Sequence, residues 1–520
     1  MAPAPDHPSL VRSGVAGLLA AGVALAVGEL VAGISGRLSA PVISVGNRIV
    51  DAVPRQVKDL AIDWFGTNDK IALLTGIYVL VGLFGIAVGV LAARRFAIGA
   101  AGIAAFGVVG VWAAGQEVGA PWWAGLPSVL GAIVGIGALA ALLSSIEHAD
   151  HPEAIDRLGA DDGAGLLARR GFLQVAAGAA VVGAAAFATG RWLQRRFSAA
   201  ASRSAVQLPA PAEEVPELAD AVTLDVEGIS PFITPNRDFY RIDTNLTVPQ
   251  LAAEDWELRI HGMVDEEIRL SYQDVLDLDL VEERITMTCV SNEVGGGLVG
   301  NATWLGARLR PLLERAGIDP KADQVVGRAF DGFTTGFPVS ILEDDRPALL
   351  AVGMNGEPLP LVHGFPARIV VPGLYGYVSA TKWLTEIELT TFDRFDQYWV
   401  ERDWSADGTI KTMARIDTPG GLTHKPAGTI PIAGVAWAQT RGIEKVEVKV
   451  DDGEWTEAKL AEEDSSLTWR QWVHEVELDA GRHQVVARAT DGTGEVQTEE
   501  RARPFPDGAS GWHSVTFLVD

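Results

Sequence analysis

The sequence predicts an N-terminal multi-span α-helical membrane anchor, then an α+β domain, then a C-terminal immunoglobulin-like β-sandwich. Long runs of Ala, Gly, Val, Leu and Ile with almost no charge fill the first part of the chain. Mixed strand and helix patterns follow, and regular alternation of apolar and polar residues begins near Lys411. We expect an anchor over 1–190, a tether over 191–224, the α+β domain over 225–405 and the sandwich over 406–520.

The anchor is predicted from five apolar stretches, each long enough to cross a bilayer, which takes roughly 20 residues. None of them contains histidine, so we expect no membrane-bound haem in this chain. Ionisable residues are almost absent at mid-span, which disfavours a transporter. The stretches lie approximately at 11–34, 71–93, 96–116, 122–145 and 171–190.

Arginines beside these stretches predict the orientation of the anchor. Arg94 and Arg95 lie between the second and third stretches, and Arg169 and Arg170 precede the fifth, so both linkers should be cytoplasmic. The predicted location is therefore the cytoplasmic membrane, multi-pass, with the C-terminal region on the extracytoplasmic face. Three arginines after the fifth stretch favour the opposite orientation if counted alone: Arg191, Arg195 and Arg196.

The segment 167–190 resembles an internal twin-arginine export signal, because Arg169 and Arg170 precede Gly-Phe-Leu and a run of small apolar residues. Such signals address proteins that are exported already folded, usually with a cofactor inserted. The alternative is that the two arginines only anchor the inner end of a helix. The region 191–224, rich in Ala, Ser, Pro and Glu without periodicity, is predicted to be a tether.

Composition excludes some classes of function. The net charge of -25 argues against nucleic-acid binding, which needs a basic surface. A single cysteine excludes an intramolecular disulfide framework and any site built from several cysteines.

That cysteine, Cys289, lies in the segment Thr-Met-Thr-Cys-Val-Ser-Asn-Glu-Val-Gly-Gly-Gly, 286–297. A lone cysteine is most often a small buried apolar residue. Here Ser, Asn and three glycines follow it, which allows the backbone to approach a bulky ligand closely. A thiolate also suits a transition metal.

The segment around Cys289, with Trp304-Leu305-Gly306 after it, resembles the metal-binding stretch of the sulfite oxidase family. Members of that family hold molybdenum between a pterin dithiolene and one cysteine. The C-terminal segment is similar to the family's last domain, which often mediates dimers, so a homodimer is expected. Further motifs agree in order: Asn236 to Arg241, Asn355 to Pro360, His363 to Arg368, Pro372 to Gly376 and Thr381 to Leu384.

The resemblance implies a molybdenum–molybdopterin cofactor with Cys289 as the protein ligand to the metal. It implies two-electron oxygen-atom transfer, with electrons passing to or from a separate carrier, a cytochrome or a quinone-linked membrane protein. Tyr375, Tyr377 and Asp331 are candidates for the substrate pocket. The residues implied on the pterin and its phosphate are Asn236, Tyr240, Arg241, His363, Arg368, Ser379, Thr381 and Lys382.

The sequence departs from the family pattern where sulfite oxidases carry arginines. Glu293 and Val294 follow the cysteine, and Tyr377, Val378 and Ser379 precede Lys382. An acidic residue near the metal would repel an oxyanion, so a sulfoxide or N-oxide is a candidate substrate beside a sulfite-like one. Two alternatives remain open: a non-catalytic extracytoplasmic binding module, and a reductase of methionine sulfoxide in envelope proteins.

Overall fold

The computed structural model describes residues 10–53, 57, 64–65, 69–150, 164–344 and 346–520. The chain divides into two compact units. The first, helical unit comprises Met1–Ser198 with Thr244–Gln250, and the second comprises Ala199–Asp243 with Leu251–Asp520.

Five helices among the described residues are long and apolar enough to cross a membrane, judged by length and composition alone. Each coincides with one of the five predicted stretches. A shorter helix, α2, spans Pro41–Ala52. The five are α1 (Leu10–Ala32), α3 (Asp69–Arg94), α4 (Phe96–Gly115), α5 (Leu126–Asp150) and α6 (Ala164–Gln194).

Glycines allow the backbone of α1 to pack directly against the backbones of neighbouring helices. A Cβ added at Gly17 would lie 2.0 Å from the carbonyl oxygen of Gly85 in α3, and one added at Gly89 would lie 2.1 Å from the carbonyl oxygen of Ser13 in α1. On α5, a Cβ at Gly131 would lie 2.5 Å from the carbonyl oxygen of Ala24. Such small-residue contacts are typical of helices that associate within a bilayer.

The α+β part of the second unit contains two sheets. One has the order β2-β1-β10-β5-β6, with β1 parallel to β10 and the other pairs antiparallel. Its strands are β1 (Glu257–Gly262), β2 (Ile268–Ser271), β5 (Gln324–Ala329), β6 (Thr334–Pro338) and β10 (Leu384–Thr390).

The other sheet has the order β3-β4-β7-β8, with β9 also pairing with β7. Its strands are β3 (Leu280–Thr288), β4 (Val299–Arg308), β7 (Leu349–Met354), β8 (Glu357–Pro358) and β9 (Arg368–Val370). The helices of the second unit are α7 (Ala200–Ala205), α8 (Tyr272–Leu276), α9 (Leu309–Ala316) and α10 (Gly376–Ser379).

The C-terminal part consists of two further sheets around a shared apolar core that includes Val446, Trp472 and Phe517. This is the predicted two-sheet arrangement; an immunoglobulin-like strand order stays a prediction. One sheet contains β11 (Met413–Thr418), β13 (Gly428–Trp437), β16 (Lys459–Leu460) and β17 (Arg470–Leu478). The other contains β12 (His424–Lys425), β14 (Ile443–Val450), β15 (Thr456–Glu457), β18 (Gly481–Asp491) and β19 (His513–Val519).

The predicted tether differs from the structure, in which much of 191–224 is part of the second unit. Helix α6 continues to Gln194, and α7 follows. The Ala212 amide donates to the carbonyl oxygen of Leu280 at 2.7 Å, and Glu213 forms a parallel bridge with Val281. The segment shows no periodicity of its own, because its backbone groups form hydrogen bonds with strand β3 instead.

The predicted boundary near residue 405 does not separate two cores. Val435, Trp437 and Trp469 of the C-terminal sheets belong to the same apolar cluster as Ile285 and Trp304 of the α+β part. The predicted export signal begins within α6, where the side chains of Arg169 and Arg170 lie outside the described residues.

Candidate active site

Cys289 lies at the end of β3, at the start of a compact loop that leads into β4. Its amide donates to the carbonyl oxygen of Leu298 at 2.9 Å, and the Asn292 amide donates back to the Cys289 carbonyl oxygen at 3.0 Å. The Asn292 side chain accepts from the Leu298 amide at 2.8 Å. These bonds close the loop, and the Cys289 side chain is buried at 7% exposure.

The electrostatic surroundings favour a neutral Cys289 thiol until a cation binds. Burial raises the pKa of the thiol, while hydrogen bonds from Ser291 and the positive charge of Lys382 act in the opposite direction. A metal ion removes the thiol proton outright, because the thiolate is the ligand form. The buried thiol therefore suits metal ligation better than exposed nucleophilic chemistry.

The glycines after Cys289 are held by residues of the C-terminal sheets. Gly295 has a φ of +80°, and a Cβ added there would lie 2.2 Å from Nε2 of His513. Arg415 donates from Nη1 to the carbonyl oxygen of Gly296 at 3.0 Å and from Nη2 to Oγ of Ser230 at 2.8 Å. The conformation of the cysteine loop thus depends on packing from a distant part of the sequence.

Two of the predicted cofactor-binding cations share one carboxylate. Nζ of Lys382 lies 3.1 Å from Oδ2 of Asp243, and Nε of Arg241 lies 2.7 Å from the same oxygen. The Asp243 side chain is only 4% exposed. Burial lowers the pKa of Lys382 to about 8, although Asp243 favours its charged form.

His363 and Arg368 lie in the same buried region. Nε2 of His363 donates to the backbone carbonyl oxygen of Asn236 at 3.0 Å, and burial lowers the pKa of His363 to about 4, which keeps it neutral near pH 7. Nη1 of Arg368 donates to the His363 carbonyl oxygen at 3.1 Å, and the guanidinium lies over the Trp304 ring. Burial lowers the pKa of Arg368 to about 10, so it remains charged.

Two tyrosines, the buried Tyr375 and the partly buried Tyr240, interact electrostatically with Cys289. Burial raises the pKa of Tyr240 well above its usual range, and Cys289 acts in the same direction. Burial likewise raises the pKa of Tyr375 to about 12. The Tyr375 hydroxyl accepts from the Lys411 amide at 3.4 Å. Both phenols therefore keep their protons at neutral pH and can act as hydrogen-bond donors.

Other predicted site residues use their side chains elsewhere. The Thr381 hydroxyl pairs with that of Thr335 at 2.7 Å, and the Ser379 hydroxyl donates to carbonyl oxygens of its own helical turn at 3.1 and 3.3 Å. The Tyr377 hydroxyl donates to the carbonyl oxygen of Ser405 at 2.6 Å. These contacts shape the backbone around the site, and Tyr377 is directed to a neighbouring loop.

The Asn236 side chain is hydrogen-bonded within the chain, and its predicted place on the pterin stays a prediction. Nδ2 donates to Oε1 of Glu357 at 2.6 Å, and Oδ1 accepts from the Asn355 side chain at 2.8 Å. Oδ1 of Asp331 accepts from the Phe333 amide at 3.0 Å, which closes the turn between β5 and β6.

The carboxylate that contacts Arg241 and Lys382 is that of Asp243, which is not among the residues predicted from the sequence. Glu293 was expected to repel oxyanions, but its side chain is exposed, where solvent screens its charge. Asp243 is buried and contacts two of the predicted cations. Its position two residues after Arg241, just beyond the motif 236–241, was the available signal.

The buried charges fit an anionic cofactor. Arg368 donates only to backbone carbonyl oxygens and has no carboxylate partner among the described residues. A buried guanidinium without an anion is costly, so this position suits a phosphate group. No cluster of three or more His, Cys, Asp or Glu suited to a metal occurs in the described part of the chain, so a metal at Cys289 would need ligands from a cofactor.

Family models match both parts of the second unit. Residues 245–399 match the oxidoreductase molybdopterin binding domain, and residues 415–516 match the Mo-co oxidoreductase dimerisation domain.

Curated relatives include several sulfite oxidases. Mouse mitochondrial sulfite oxidase is 29% identical over 343 residues, covering 56% of this chain and 60% of the mouse protein. Sulfite oxidase of Arabidopsis thaliana is 26% identical over 331 residues, covering 52% of this chain and 84% of the relative. The uncharacterized oxidoreductase YuiH of Bacillus subtilis is 38% identical over 138 residues, covering 26% of this chain and 65% of YuiH. The chain thus spans about 60% of the length of its mouse relative.

A solved structure shares the fold. The sulfane dehydrogenase SoxCD of Paracoccus pantotrophus has a TM-score of 0.50 and 22% identity, covering 56% of this chain and 84% of that one.

Proposed function

Because the chain belongs to the sulfite oxidase family of molybdopterin-dependent oxidoreductases, we propose that it transfers an oxygen atom in a two-electron reaction at a molybdenum ligated by Cys289. Two features of the chain support this: the lone thiol of Cys289 is buried, and the buried guanidinium of Arg368 has no carboxylate partner among the described residues. Membership in this enzyme family argues against the alternative of a non-catalytic binding module.

Each group of the chain has a distinct task in this proposal. The bound cofactor supplies the oxygen-atom transfer and stores the two electrons. Cys289 gives up its thiol proton and ligates the metal. Arg368 neutralises phosphate charge, and neutral His363 offers hydrogen bonding to the pterin. Asn236, Ser379 and Thr381 hold the surrounding backbone, because their side chains are bound internally.

The substrate end of the pocket is assigned to Tyr240 and Tyr375. Both hydroxyls stay protonated at neutral pH, so each can donate a hydrogen bond to the oxygen that is transferred. The buried rings around them, such as Phe239 stacked on Tyr240 at 5.2 Å, help to exclude water. Tyr377 is assigned a structural role, because its hydroxyl donates to the carbonyl oxygen of Ser405.

The electrons are proposed to pass to or from a separate carrier, a cytochrome or a quinone-linked membrane protein. The five apolar helices support anchoring in the cytoplasmic membrane, with the catalytic unit on the extracytoplasmic face. The match of 415–516 to a dimerisation domain supports a homodimer. Export of the catalytic unit through the signal at 167–190 belongs to the same proposal.

Metal analysis of the full chain tests the central claim. The protein is produced in a host that makes the cofactor, purified in detergent, and compared with Cys289→Ala and Ser291→Ala. We expect near-stoichiometric molybdenum in the wild type and in Ser291→Ala, which keeps the thiol and loses one hydrogen bond to it. Cys289→Ala should lose the metal or show an altered electron paramagnetic resonance signal.

The central claim fails if wild-type protein contains no molybdenum under conditions that load a known relative. The assignment of Cys289 fails if the alanine variant keeps both the metal and an unchanged signal. A folded variant, judged by its circular dichroism, is required for either conclusion.

A further inference from the structure

We propose that Asp243 determines the charge preference of the site, by neutralising Arg241 and Lys382 so that the pocket accepts an uncharged sulfur or nitrogen oxide rather than an oxyanion. The inference rests on the proposed function and specifies its substrate class. Glu293, the acid first expected to repel an oxyanion, is exposed. The Asp243 side chain is buried and contacts both Arg241 and Lys382.

The geometry makes Asp243 the shared counter-ion of both cations. Oδ2 of Asp243 lies 2.7 Å from Nε of Arg241 and 3.1 Å from Nζ of Lys382. The side chains of Asp243 and Lys382 are 4% and 12% exposed, so little solvent screens their interaction. The Asp243 carboxylate therefore accepts charge-assisted hydrogen bonds from two cations.

Two of the predicted cofactor-binding cations contact a carboxylate, and the third, Arg368, donates only to carbonyl oxygens. Three cations are present, Arg241, Lys382 and Arg368, and Asp243 is the carboxylate that contacts two of them. Arg368, which donates only to carbonyl oxygens, is the cation best placed to receive an anion. The phosphate of the cofactor would be the anion at Arg368. A second anion at Arg241 or Lys382 would approach a buried negative charge in a medium of low dielectric constant.

An uncharged substrate avoids this repulsion and uses the donors that remain. A sulfoxide or an amine N-oxide carries no net charge, but its oxygen accepts hydrogen bonds strongly. The protonated hydroxyls of Tyr240 and Tyr375 supply them. In reduction of a sulfoxide, the S–O bond breaks, two electrons and two protons are taken up, and the products are a thioether and water. A reduced dye supplies the electrons in the assay below.

The test compares wild type with Asp243→Asn, Asp243→Glu and Asp255→Asn as full chains in detergent. Asp255 is an exposed acid of the same unit and serves as the matched control. Molybdenum content is measured first. Sulfate, an inert oxyanion, is then titrated by calorimetry and by its effect on the paramagnetic resonance signal, and reduction of dimethyl sulfoxide by a reduced viologen dye is followed in parallel.

We expect wild type, Asp243→Glu and Asp255→Asn to bind sulfate only weakly, and Asp243→Asn to bind it at least about tenfold more tightly, because one buried negative charge is removed. Sulfate should inhibit dimethyl sulfoxide reduction in Asp243→Asn and leave the wild type unaffected.

Submillimolar binding of sulfate at the wild-type site would overturn the inference even if Asp243→Asn fails to fold or to load. Equal sulfate affinity in wild type and a loaded Asp243→Asn would also overturn it. Absence of molybdenum from the wild type would instead refute the proposed function, so the two failures are distinguishable.

Discussion

Substituting Gly295 by alanine should loosen the cysteine loop, and the structure allows the cost to be worked out. The residue has a φ of +80°, where a side chain costs about 1–2 kcal/mol. The added Cβ would lie 2.2 Å from Nε2 of His513, so the ring must move. Its Nδ1 accepts from the Ile416 amide at 3.0 Å, and losing that bond costs about 1–3 kcal/mol more.

The expected destabilisation is therefore about 2–5 kcal/mol, concentrated in the loop. Amide hydrogen exchange measured by mass spectrometry suits this prediction, because it reports local opening in a protein of several domains. Peptides covering the Cys289 and Leu298 amides should exchange at least about thirtyfold faster than in the wild type, since 1.4 kcal/mol corresponds to a factor of ten. Molybdenum content should fall in parallel.

The same loop contains a matched control. A Cβ added at Gly297 meets no heavy atom within 4 Å, so Gly297→Ala should exchange like the wild type. Combining Gly295→Ala with His513→Ala removes the clash and should cost less than the sum of the single changes. Equal exchange in Gly295→Ala and Gly297→Ala would refute the reasoning.

Three further predictions follow from the same structure. Burial lowers the pKa of His513 to about 4, so the folded protein binds fewer protons than the unfolded chain between pH 4 and 6.5. The protection of the loop amides, measured as the intrinsic exchange rate divided by the observed rate, should therefore fall as pH falls through that range, and less so in His513→Gln. Gly17→Leu should destabilise the detergent-solubilised chain by about 1–3 kcal/mol, because the new side chain overpacks the contact with α3. Gly22→Leu should not, because a Cβ there meets no heavy atom within 4 Å. Equal melting temperatures of the two variants would contradict this. Arg415→Met should reduce molybdenum content and cost about 3–5 kcal/mol, because it leaves the buried Asp417 unpaired, and unchanged denaturation would exclude this role.

Local periodicity predicted the fold best where an element is defined by its own residues. Each of the five apolar stretches lies in a long helix. A helix that is apolar on all sides can be recognised from its own length and composition, without knowing which elements pack against it. The shared core near residue 405 was not predictable, since it depends on which distant strands pack together.

The site was predictable by residue type and less so by side-chain direction. Cys289, Arg368 and His363 are all buried, and their roles toward the cofactor stay predictions. Tyr377 follows Tyr375 by two residues, yet its hydroxyl bonds to Ser405, because a four-residue helix rotates successive side chains to different directions. Sequence proximity to the cysteine likewise suggested Glu293, whereas the acid at the site lies in another segment.

The dependence of the cysteine loop on His513 has a consequence for the order of events during synthesis. His513 begins β19, more than two hundred residues after Cys289, and β19 pairs with β18. While a ribosome is still extending the chain, the loop after β3 lacks the ring and the guanidinium that fix its glycines. Contacts over such sequence separations form late. The pocket should therefore mature only after the C-terminal sheets assemble, so that a truncated or stalled chain does not capture the metal.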